Sequence, residues 1–126
     1  MSYSLPVTLL IALLTIGILV TIHEAGHFFV ARWFGVKVLR FSVGFGRPLW
    51  RWRDRHQTEY VLAIIPLGGY VRMLDSREKT LEPNELSQAF DLKGIWVRIA
   101  VVLAGPMINL VFAVLAYSLV SMLGMI

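Results

Sequence analysis

Leu5-Pro6-Val7-Thr8-Leu9-Leu10-Ile11-Ala12-Leu13-Leu14-Thr15-Ile16-Gly17-Ile18-Leu19-Val20-Thr21-Ile22 is an 18-residue run without a charge, and 13 of its residues are plainly apolar. About 20 such residues cross the roughly 30 Å hydrocarbon core of a bilayer as a helix. Pro6 suits the first turn, where its missing N–H is no loss. The apolar character resumes after His23 as far as Phe34, and Gly35 is a natural stop, so the stretch predicts a membrane helix over 5–34. From Pro6 to Phe34 it would be about 43 Å long at about 1.5 Å per residue, and so would outlast the hydrocarbon.

Outward from this run the same pattern recurs once. The chain has 126 residues, is 57% hydrophobic, lacks cysteine and carries 12 Lys and Arg against 8 Asp and Glu, net +4. A soluble domain is nearer 45–50% apolar. Every charge lies between Glu24 and Arg98, which leaves residues 1–22 and 99–126 with none. A second membrane helix is therefore predicted over 95–124. This distribution argues against a soluble enzyme or a nucleic-acid binder. The missing cysteines exclude a disulfide framework and a thiolate-ligated metal. The first run lacks the positive start, short apolar core and small-residue cleavage site of a signal peptide. Arg32, Lys37, Arg40 and Arg47 follow the first span, and Lys93 and Arg98 precede the second. That excess places the joining segment in the cytoplasm and both termini on the opposite side of the membrane.

Between the spans, 36–73 is rich in β-branched and aromatic residues. Phe41, Val43 and Phe45 alternate with polar or small residues, as does Leu49 to Arg53, and Thr58 to Ile65 reads as a returning strand after a turn at Asp54–Gln57. Gly44, Gly46, Gly68 and Gly69 mark bends or close backbone approach. The fold class expected is a mainly α membrane protein, two spans joined by a small antiparallel sheet of two to four strands. Trp33, Trp50, Trp52, Tyr60 and Tyr70, beside basic residues, suit a sheet at the lipid bilayer interface. The segment 74–93 reads as a polar cytoplasmic loop, with a short surface helix over Glu85–Lys93.

His23-Glu24-Ala25-Gly26-His27 carries the chemistry. Residues four apart on a helix lie about 40° apart around its axis, so two imidazoles on one face can share a metal. Glu24 is turned about 100° from His23 and about 60° from His27, out of the ligand row but within reach of a water there. A metal would lower that water's pKa and polarise a scissile carbonyl, while the glutamate takes and returns the proton. Three ionisable residues within five positions of a membrane helix need a reason. One alternative is a cluster solvated at the cytoplasmic rim. Another is a bis-histidine haem site, which gives Glu24 no role. A catalytic site also wants a third protein ligand. His56 lies in a predicted turn, and Asp75 and Asp91 read as surface charges, so the site is incomplete. In the second span, Pro106 is expected to kink the helix, Gly105 and Gly26 to ease close approach, and Asn109 to bond helix to helix or line a cavity.

His23 to His27, Gly44-Phe45-Gly46, Ile65-Pro66-Leu67-Gly68-Gly69-Tyr70-Val71, and Ala104-Gly105-Pro106 with Asn109 resemble the amino-terminal part of the site-2 protease family, and within it the bacterial sigma-E-regulating type. The resemblance covers essentially the whole chain. It implies a Zn2+-dependent intramembrane endopeptidase with His23 and His27 as zinc ligands and Glu24 as catalytic base. It implies single-span membrane substrates, anti-sigma-factor-like, held by a membrane-reentrant β-region. Gly44, Gly46, Gly68, Gly69 and Asn109 are the candidate substrate-binding residues. Strand addition is a sound way to hold an unwound peptide, because helical peptide bonds are shielded. The family takes its third ligand from an aspartate of a later Leu-Asp-Gly helix and carries periplasmic PDZ domains, neither of which matches here. The expectation is therefore an amino-terminal portion, inactive alone, whose missing carboxy-terminal part supplies the Asp. The rival is a non-enzymatic truncated membrane protein or partner-binding subunit.

Overall fold

A computed structural model describes residues 4–124. The first helix, α1 (Leu5–Trp33), starts behind Ser4 with Pro6 in its first turn and ends at Phe34, after which Gly35 takes φ +78°. A left-handed glycine is the usual way to turn the chain out of a helix. The second helix, α2, spans Ile95–Met122 with Pro106 inside it. Both are long and apolar enough to cross a membrane. Leu5, Val7, Leu9, Leu10, Ile11, Leu14, Ile16 and Ile18 all face outward, so most of that half of α1 presents apolar surface suited to lipid.

Two long antiparallel strands, β1 (Val38–Arg53) and β2 (Glu59–Met73), form the sheet. Each strand bends, and their register separates into three ladders. Arg53↔Glu59 to Pro48↔Ala63 closes the hairpin, and Val38↔Met73 to Val43↔Gly69 pairs the outer halves. Arg40↔Glu59 to Val43↔Leu62 joins the same residues of β1 to the first half of β2, with both numbers rising together. Residues 40–43 thus have partners on both sides and form the middle of the sheet. The segments 48–53 and 69–73 are its edges. The bend in β1 falls where Gly44 and Gly46 adopt φ +90° and +85°, a region costly for other residues. A Cβ at Gly44 would stand 2.8 Å from the Ile65 carbonyl oxygen, and one at Gly69 only 2.4 Å from that of Ser42. A Cβ at Gly68 would strike the Phe45 ring, whereas Gly46 meets only Ile side chains at 3.4 Å or more.

The sheet lies along α1. Its outer turn is tied to Arg32 near the helix end, and its bend reaches Gly17, where an added Cβ would come 3.2 Å from the Pro66 carbonyl oxygen. Those helix positions are 15 residues apart, about 22 Å along the axis. Where the C-terminal third of α1 meets sheet and α2, Phe28, Ala31, Val36, Val38 and Val101 form the buried core, with Phe41, Tyr60 and Val71 against it.

The short helix expected over 85–93 differs. A 3-10 helix starts earlier, at Pro83, and a second covers Phe90–Leu92, broken by the extended Ala89. Pro83 begins the element because it needs no N–H there, and Glu82 and Glu85 cap each other's backbone N–H groups reciprocally.

Candidate metal centre

One turn of α1 sets His23 and His27 on the same face, and their Nε2 atoms stand 3.0 Å apart. A tetrahedral ion at 2.0–2.1 Å from each nitrogen would set them roughly 3.3 Å apart, so the pair already has nearly the bite of a chelate.

What orients the rings comes from α2. The Val101 carbonyl oxygen lies 2.7 Å from His27 Nδ1. A carbonyl can only accept, so His27 carries its proton on Nδ1 and leaves the Nε2 lone pair free. His23 Nδ1 meets the Asn109 carboxamide at 3.3 Å through Nδ2, and the buried Asn109 Oδ1 has no partner where it stands. With Nδ2 donating, His23 keeps its proton on Nε2 and donates it to His27. Turned over, the same carboxamide offers Oδ1 to a His23 Nδ1–H and frees the second Nε2 lone pair. A backbone oxygen thus commits one imidazole, and an amide suits either tautomer of the other. Metal-binding imidazoles commonly depend on such outer partners.

Glycines make the approach possible. A Cβ on Gly105 would stand 2.5 Å from His27 Nε2 and 2.8 Å from His23 Cε1. A Cβ on Gly26 would be 2.6 Å from both the Ala104 carbonyl oxygen and Ile108 Cγ2. The helices therefore cross at two positions without side chains, and the imidazoles fill the space left at Gly105. Pro106, next along α2, lacks the N–H that would bond the Val102 carbonyl, which loosens the ladder beside the acceptor of His27. α2 nevertheless remains one continuous helix.

Glu24 is half-buried on the same turn. His56 stands apart, lining a cleft at the outer turn of the sheet. Asp75 pairs with Arg77, and Asp91 accepts from Ser76. Among the described residues no three His, Cys, Asp or Glu side chains converge on one point. The donor set fits two of a zinc ion's ligands. Asn109 bonds helix to helix, but through His23 itself. Gly44, Gly68 and Gly69 pack against their own sheet. The acceptor role of Val101 is carried by a backbone atom and has no residue-type signal.

Comparison with known proteins places these residues in context. Residues 11–125 match the family model described as Peptidase family M50. The chain is 52% identical to a regulator of sigma-E protease RseP of Salmonella typhimurium and 54% identical to a protease RseP of Yersinia pestis. It is 51% identical to a Xylella fastidiosa protein whose name contains the words zinc metalloprotease. Each alignment covers 89% of this chain and 25% of the relative, so the chain spans about a quarter of their length.

Proposed function

The chain belongs to peptidase family M50, and on that premise we propose that it builds the amino-terminal half of the active site of a zinc-dependent intramembrane endopeptidase. His23 and His27 are the metal ligands and Glu24 is the general base. The observation that carries the reading is the pair of Nε2 atoms 3.0 Å apart, with both Nδ1 atoms engaged by α2. Zinc held there supplies Lewis acidity, which eases loss of a proton from water and polarises the scissile carbonyl. Glu24 takes the proton from the attacking water and returns it to the leaving amine. A carboxylate from further along the protein completes the ligand set.

The rest of the chain serves the substrate. His23 and His27 lie ten and six residues from the Trp33 end of α1, about 15 and 9 Å along the axis, so the reaction takes place below the interface. The sheet edges at 48–53 and 69–73 hold an unwound segment of a single-span membrane protein as an added strand, and the bends at Gly44, Gly46, Gly68 and Gly69 set the course of those edges. Asn109 belongs to the ligand wall. The protein sits in the bacterial inner membrane with the ends of this stretch periplasmic and the sheet side cytoplasmic, as the basic residues between the helices favour.

The test is Glu24→Gln in the full-length protein. Cleavage of a membrane substrate is expected to fall at least about 100-fold, the usual scale for a general base, with zinc content unchanged. Cleavage at the wild-type rate would remove Glu24 from the role.

A further inference from the structure

At the outer end of the sheet, away from the histidines, a cleft of about 570 Å³ separates the end of α1 from the turn between β1 and β2. Arg32, Lys37, Arg55 and His56 line it, and no Asp or Glu does. A Cβ on Gly35 in its wall would stand 3.5 Å from Lys93 Nζ, so one more ammonium group lies beside that wall.

The charges there do not balance. Arg32 is paired with Asp54, and Lys37 lies 3.8 Å from Glu85, which Lys79 shares at 3.7 Å. Arg55 and Lys93 form no ion pair among the described residues. Four cations thus meet two carboxylates, and neither carboxylate faces the cleft. Like charges gathered without counter-charge repel one another, and an anion between them relieves that cost.

The depth of the cleft identifies the anion. Arg32 adjoins Trp33, 86% exposed, and Lys93 lies three residues before Trp96, 80% exposed. Each tryptophan stands at the end of a helix long and apolar enough to cross a membrane. Exposed tryptophan at such an end marks the headgroup level, where the abundant anion is phosphate on lipid and basic pockets collect it.

We propose that this cleft binds the phosphate of an anionic phospholipid headgroup and thereby seats the outer end of the sheet on the membrane surface. The inference rests on α1 crossing the bilayer and is independent of protease chemistry, so binding and cleavage succeed or fail separately.

The full-length protein in neutral detergent is titrated with phosphatidylglycerol, with phosphatidylcholine and with inorganic phosphate, and bound lipid is counted by native mass spectrometry. Phosphatidylglycerol is expected to be retained about tenfold more tightly than phosphatidylcholine. That preference should be lost in Arg55→Glu/Lys93→Glu and kept in Arg77→Glu, which changes a cation outside the cleft that pairs with Asp75. An Arg55→Gln/Lys93→Gln pair, milder for folding, should lose most of it. Equal retention of both lipids, or a preference that survives both double variants, would overturn the site. Displacement of phosphatidylglycerol by equimolar inorganic phosphate would overturn the lipid assignment.

Discussion

The first helix is held to the rest of the molecule by two seams of opposite character. Against α2 it is held by what is missing: Gly26 and Gly105 bring the backbones together, and two imidazoles occupy the space beside Gly105. Against the sheet it is held by a polar knot. Asp54 accepts from Arg32, from the Tyr60 hydroxyl at 2.8 Å and from the backbone N–H groups of His56 and Thr58, while Arg32 also donates to Thr58 Oγ1 at 2.8 Å and lies over the Phe28 ring. The first seam has no space for a Cβ at either glycine, and its geometry sets that of the candidate site. The second is redundant, because each partner has several others, and it positions the sheet without touching the histidines. Damage at the two seams should therefore differ in kind. One loses metal, and the other loses only attachment.

Gly105→Ala tests the first seam most severely. Its Cβ must displace the His27 ring from 2.5 Å, so zinc affinity of the full-length protein is expected to fall by 100-fold or more, at the top of the range for ligand misplacement. A variant with full zinc content would refute the tight seam. Asn109→Leu removes the partner of His23 Nδ1, and zinc affinity should drop about 10- to 100-fold. Asn109→Asp, which only accepts, should keep the metal, and competition with a chelator separates the two. Gly26→Ala pushes on the Ala104 backbone rather than on a ring, so stability should suffer by about 1–3 kcal/mol from overpacking, read as a lower melting temperature in detergent. Zinc should weaken less than in Gly105→Ala.

The smallest effect belongs to the polar seam. Burial pushes the Asp54 carboxyl up, but hydrogen bonds from Arg32, Tyr60 and the Thr58 backbone outweigh it and hold the group well below the usual carboxylate range. Because the folded value is the lower one, this contribution is complete above the ordinary aspartate pKa and is lost as pH falls toward the folded value. With side chains 28% and 23% exposed, the pair is worth about 1 kcal/mol at most. Trp52 stacks on Tyr60 at 5.4 Å, so tryptophan emission should report loosening below about pH 4. Asp54→Asn should abolish that pH dependence and leave zinc content unchanged. An identical acid transition in the variant would assign it to another group.

The two helices could be read from charge alone, since lipid is the one solvent that makes such runs affordable, and the histidine pair could be read from helical spacing. The sheet was legible as β-rich sequence but not as three ladders, because residues 40–43 take partners from two distant segments and local alternation carries no register. Asn109 and Gly105 were visible as an amide and a glycine in a membrane helix. That both press on the imidazoles depends on where α2 crosses α1, which no local pattern encodes. Val101 was illegible for a simpler reason: any residue supplies a carbonyl. Pro83 looked like a loop residue, although at a first helical position it favours the helix it starts.

Zinc-edge X-ray absorption of the full-length protein tests the central claim directly, that α2 presents the two Nε2 atoms to one ion. The wild type should show two imidazole nitrogens at about 2.0–2.1 Å, falling to one in His23→Ala and in His27→Ala. An imidazole shell unchanged in either variant would contradict it.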